Sequence, residues 1–222
     1  GNSTMTKLVW DEIGKRLYEL GVKRPVLYKP NTEGKYVDGV AWNGFTSVNQ
    51  NPSGAESTPL FANDSKYLSL TSSEEFGATI EAYTYPKEFA ECDGSAELIK
   101  GVRVGQQSRK PFGLSYVTTL GNDLLKEEYG YVIHLVYGCM AAPSSRQYET
   151  INKDPEAMKL SWELTTTPVA VEGKRPTAHL EIVSTDLEKD KLKKLEDILY
   201  GTESEAARMP LPDEIKSILA AG

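Results

Sequence analysis

The sequence predicts a mainly β protein, an antiparallel β-sandwich or barrel with one flanking α-helix and a short C-terminal helix. Three observations carry that expectation. Apolar and polar residues alternate with period two in run after run through the middle of the chain. Clusters of turn-forming residues separate the runs, and one strong stripe of helical period appears only near the C-terminal end. A chain of 222 residues has the length for one large all-β domain or two small ones, and residues 5–222 are read as a single domain. Gly1, Asn2, Ser3 and Thr4, ahead of Met5, look like an expression scar and are set aside.

Taken in chain order, the first candidate element is a weak N-terminal helix through Trp10, Ile13, Leu17 and Leu20, interrupted by Gly14. Residues 26–28, 40–48 and 67–70 read as short strands, and residues 49–66, with Pro52, Gly54 and Pro59, as a long loop. Phe76, Ala78, Ile80 and Ala82 then alternate against Thr79 and Glu81, and Phe112, Leu114 and Tyr116 repeat the pattern. Tyr131, Ile133, Leu135 and Tyr137 fall on one face of a strand with Val132, His134 and Val136 on the other. Both faces are largely apolar, which is the pattern of a strand buried on both sides. Met158, Leu160, Trp162 and Leu164 make a half-buried strand, as do Ala178, Leu180 and Ile182. The C-terminal helical region, about residues 185–222, starts at a capping box of Thr185 and Glu188. Leu187, Leu192, Leu195, Ile198 and Leu199 form its apolar stripe, and Gly201 is placed to end it in a left-handed cap. A second short helix from about Asp213 would group Ile215, Ile218 and Leu219.

Composition narrows the function. The net charge of −7 disfavours tight nucleic-acid binding, which draws on Lys and Arg to neutralise phosphates. A hydrophobic fraction of 39% and a charged fraction of 26% are those of a chain that buries a core, and no apolar run approaches the roughly 20 residues of a membrane span. Neither a secretory leader pattern nor a metal-ligand spacing around Cys92 and Cys139 is present, so these read as buried or semi-buried thiols, with a disulfide between them an alternative that nothing in the sequence supports. Asn63-Asp64-Ser65 is a chance glycosylation triplet.

Catalytic chemistry finds little to stand on. The chain has 2 histidines, and His134 in an apolar strand and His179 on the outer register of another both read as structural or surface groups. No phosphate-binding glycine loop, zinc-protease helix or nucleophile elbow occurs, and acidic neighbours such as Glu74-Glu75 and Glu91 with Asp93 arise by chance in any acidic chain. The expectation is a protein that is no enzyme, with no catalytic, cofactor-binding or metal-ligating set. An alternative is a carbohydrate- or receptor-binding β-sandwich, with Trp42, Trp162 and the tyrosines lining a groove.

Several segments in one order resemble a known family. These are Gly39-Val40-Ala41-Trp42-Asn43-Gly44, Ser53-Gly54-Ala55-Glu56 with Thr58-Pro59-Leu60, and the run from Ser73 through Phe76-Gly77-Ala78 to Tyr83. Tyr85-Pro86-Lys87-Glu88-Phe89, Gly105-Gln106-Gln107, Tyr131 to Tyr137 and Leu195 to Gly201 continue the series. Together they resemble the major tail proteins, or tail tube proteins, of siphophages and related prophages of Gram-positive bacteria. The resemblance implies a tail-tube-type fold of two packed antiparallel sheets with a flanking helix. It also implies homo-oligomeric, hexameric rings that stack into a tube, a conduit for DNA ejection.

The partners it implies are further copies of the chain, tape measure and tail terminator or initiator proteins, and double-stranded DNA that passes without tight binding. The place it implies is the virion tail, and the host cytoplasm during assembly, with no membrane association. The family has no catalytic residues to carry over. Its stacking contacts, made by a long early loop and the terminal arms, correspond here to residues 49–66 and the two ends. Leu60 and Phe61 stand side by side in that loop as its apolar anchors, with Glu56, Asp64 and Lys66 near the rim.

Overall fold

The alternating runs become strands because each has one or both faces to bury. In the computed structural model, which describes residues 7–220, β1 (Leu17–Pro30), β2 (Tyr36–Ala41), β3 (Phe45–Gln50), β6 (Ala78–Ala82), β9 (Phe112–Asn122), β10 (Lys126–Ala141), β11 (Leu160–Thr166) and β12 (His179–Val183) form one 8-stranded antiparallel sheet. β4 (Ser57–Ala62) pairs only with β5 (Ser65–Thr71), and β7 (Ala96–Ile99) only with β8 (Val102–Val104). Two α-helices follow, α1 (Lys189–Tyr200) and α2 (Pro212–Ala220). The large sheet has the order β2-β1-β9-β10-β11-β6-β3, with β12 added beside β10.

β10 makes a sandwich of that sheet. On one side it pairs with β9; on the other it pairs first with β12 over Val132 to Val136 and then with β11 over Cys139 to Ala141. Gly138 stands at the change of partner with a φ of +60°, and a Cβ there would lie 2.3 Å from the Thr167 carbonyl oxygen. A glycine is needed where the strand turns from one sheet half into the other.

Two cores result. Leu27, Leu114, Val136, Ile80, Trp162 and Leu164 come from both halves of the sheet and meet between them. On the opposite side, Tyr28, Ile133, Leu135 and Tyr137 are covered by Leu192, Leu195 and Leu199 of α1 and by Met209 and Ile215. Tyrosine hydroxyls fasten this helical layer to the sheet: Tyr28 donates to the Leu199 carbonyl, Tyr137 to that of Pro210 at 2.6 Å, and Tyr131 to the Glu196 carboxylate at 2.6 Å.

Several expectations are corrected. The N-terminal helix is absent: Leu17 and Leu20 belong to β1, and Asp11 and Gly14 take φ values of +52° and +88° that a right-handed helix excludes. The run over residues 40–48 is two strands turned at Gly44. The capping box at Thr185 does not form; Ser184–Asp186 is a short 3₁₀ turn, Ser184 Oγ accepts the Tyr131 N–H, and α1 starts after Glu188 without a side-chain cap. Gly201 ends α1 by donating to the Asp197 carbonyl, with φ +81° and an extended ψ of 168° instead of a left-handed helical one. The segment 49–66 is no loop but the end of β3 and most of a hairpin. Asn63 and Asp64, at φ +50° and +55°, make its two-residue turn, the conformation that matches the twist of paired strands. The scar residues 1–4 lie outside the described residues.

Candidate functional site

The hairpin grows from the end of β3. Ser53 and Glu75 exchange backbone hydrogen bonds of 2.9 and 2.7 Å, and the Ser72 N–H donates to the Glu56 carbonyl, so a double strand runs from the body to the turn at Asn63-Asp64. Gly54 is required near its base, where a Cβ would meet the Ser73 carbonyl oxygen at 2.1 Å. Every residue of β4 and β5 is exposed, on both faces of the ribbon. The side chains it shows to water include Leu60 (41% exposed), Phe61 (71%) and Tyr67 (71%), with Leu68 and Leu70 beside them. Glu56, Asp64 and Lys66 are exposed around them.

A second apolar surface gathers where the N-terminal segment meets the β9–β10 turn. Leu8, Val9, Trp10 and Ile13 are exposed there, as are Leu124 and Leu125 of the turn. Asp123 ties the two together. Its carboxylate oxygens accept the Gly14 N–H at 3.1 and 3.0 Å and the Arg16 N–H at 3.4 Å, while Asn122 Nδ2 donates to the Gly14 carbonyl at 3.2 Å. The Gly14 hydrogen bonds hold the Asp123 carboxyl below its ordinary range. A third exposed tip, Leu98, Ile99 and Val102, belongs to the β7–β8 hairpin.

Groups that carry chemistry are spent on structure. Asp93 accepts from Trp162 Nε1 at 2.9 Å, from Arg109 at 3.3 Å and from Arg146 at 2.6 Å, and Glu91 pairs with Lys29 at 2.9 Å, so these two carboxylates act as anchors. Cys92 and Cys139 are fully buried, and burial pushes both thiols up, Cys92 to about 12. Trp42 and Trp162, candidates for a carbohydrate groove, pack against one another in the core with ring centroids 5.8 Å apart.

The histidines hold a contact that sequence reasoning missed. His134 is buried as expected, but His179 does not face outward alone: its Nε2 lies 3.1 Å from His134 Nδ1. The signal was in the register of β10 against β12, which alternation within either strand does not reveal. Among the described residues no helix is long and apolar enough to cross a membrane. Compared with known proteins, the chain matches no family model and no curated sequence.

Proposed function

We propose that this chain is a structural, non-enzymatic virion protein that self-assembles through stacked rings into the tail tube of a long-tailed phage, a conduit for DNA ejection. The observation that carries this reading is the β4–β5 arm. A two-stranded hairpin with both faces in water is marginal by itself, and its five large apolar side chains have no reason to be held together unless another surface receives them. Repeated copies of the chain supply that surface in a stack of rings. Fully burying a Leu or a Phe contributes about 1.5–3 kcal/mol each, and repetition around a ring multiplies a small surplus per subunit.

Two further features support the reading. β3 ends the large sheet and β12 pairs with a strand on one side only, so among the described residues these two edges are open for neighbours to join, whereas residues 207–209 cover the outer edge of β2; ring closure removes such edges. The net charge of −7 suits a conduit that repels phosphate, so that DNA passes without adhering.

The test is to replace both Leu60 and Phe61 by serine and compare the subunit's Tm with its capacity to form tubes. Lost tubes at unchanged Tm is the expected result. Tubes that persist would remove the arm from assembly, and a large fall in Tm would assign the two residues to the subunit's own core.

A further inference from the structure

The chain has 2 histidines, 45 positions apart in sequence, and they meet at the edge of the sheet. His134 of β10 is the direct partner of Glu181 on β12, and His179 lies two residues before Glu181 on that edge strand. Alternate residues of a strand share a face, so two side chains from β12 and one from its neighbour project to the same side. Their donor atoms converge: His134 Nδ1 is 3.1 Å from His179 Nε2 and 3.9 Å from Glu181 Oε1, and the three ligand atoms lie within 4.8 Å of one another.

We propose that His134, His179 and Glu181 form a binding site for a divalent transition-metal ion of the zinc class, held by two imidazole nitrogens and one carboxylate. Two histidines and a glutamate leave a fourth, tetrahedral position for water.

The surroundings of His134 orient it for that task. Thr118 donates its hydroxyl hydrogen to Glu19, and its oxygen lies 2.9 Å from His134 Nε2, with the Glu19 carboxylate itself 3.4 Å away. The proton of His134 is thereby kept on Nε2, and Nδ1 turns its lone pair toward His179 and Glu181. A hydrogen-bonded far nitrogen of this kind fixes the tautomer and the ring direction of metal-ligating histidines. Aromatic rings hold both imidazoles in place: Tyr116 lies parallel to His134 at 4.7 Å, and Phe76 to His179 at 4.5 Å. Glu181 has a side chain 54% exposed, which gives an ion an entry path and room for the water ligand.

Without an ion the site has a defined resting state. The two imidazole planes differ by 8° with centroids 5.4 Å apart, and the nitrogen separation of 3.1 Å places the rings side by side in nearly one plane. In that arrangement the His179 Nε2–H donates to His134 Nδ1. Metal binding moves the His179 proton from Nε2 to Nδ1, tilts the half-buried ring of His179, and exchanges the hydrogen bond for two coordinate bonds. No net proton is released.

The site is tested on the folded protein with any histidine tag removed, titrated at neutral pH first with Co²⁺ and then with Zn²⁺. Expected are one Co²⁺ per chain with visible absorption of a tetrahedral complex, its displacement by Zn²⁺, and shifts of both histidine ring signals in the NMR spectrum. His179→Ala and Glu181→Gln, both on the partly exposed edge strand, should abolish the absorption while circular dichroism stays unchanged. Glu19→Gln, which touches only the far side of His134, should weaken binding roughly 10–100-fold. Absence of Co²⁺ binding to the folded wild type would overturn the proposal, as would binding that survives His179→Ala and Glu181→Gln. Tube formation bears on neither outcome.

Discussion

Gly138 is where one strand serves both halves of the sheet, and its cost of replacement is local and large. A Cβ at φ +60° costs about 1–2 kcal/mol in the left-handed region, and here it also collides with the backbone of Thr167. Gly138→Ala is expected to destabilise the subunit by more than that conformational cost alone, measured by urea unfolding; a change within error would show that β10 does not need the bend. One residue earlier, Tyr137 sends its side chain to the opposite core. Tyr137→Phe keeps the ring but strands the buried Pro210 carbonyl, at an expected cost of about 1–3 kcal/mol in the same measurement. Equal stability of Phe and Tyr at this position would show that packing alone holds the helical layer.

At the scale of elements, the N-terminal segment is held to the β9–β10 turn by a carboxylate accepting backbone N–H groups. A carboxyl whose folded pKa is depressed stabilises above its unfolded pKa, and that contribution is lost as pH falls through the folded value. For Asp123 the window therefore opens near the ordinary 3.8 and extends below it. Asp123→Asn should release the segment at neutral pH as acid does in the parent. The measurement is the rate of tryptic cleavage at Arg16, expected to rise in the variant; an unchanged rate would mean that Asn122 and the β1–β9 pairing hold the segment without Asp123.

Elements set by local pattern were legible in the sequence. Alternation identified β6, β9, β10, β11 and β12, and apolar residues on both faces of β10 anticipated its place between two cores. The leucine stripe of α1 was equally plain. What could not be read depended on distant partners. Trp10, Ile13, Leu17 and Leu20 fit a helical period, but Asp123, 109 positions from Gly14, claims the backbone there. Pro52, Gly54 and Pro59 read as loop signals, and Asn63-Asp64 was not recognised as a two-residue turn, so a hairpin read as a loop. The histidine pair required the register of β10 against β12.

At the scale of the whole molecule, the net charge bears on the proposed conduit. A chain of net charge −7 should show no binding to duplex DNA even at low ionic strength, where screening is weakest. An electrophoretic shift at micromolar protein that salt abolishes would contradict the passive-conduit account.

Assembly is the central claim, and electron microscopy of the purified protein over a rising concentration series tests it most directly. Uniform rings, and tubes built from them, should appear as concentration increases, with β4–β5 amide hydrogens gaining exchange protection in the assembled fraction. A protein that stays a single subunit at every concentration, with the hairpin amides exchanging freely throughout, would contradict it.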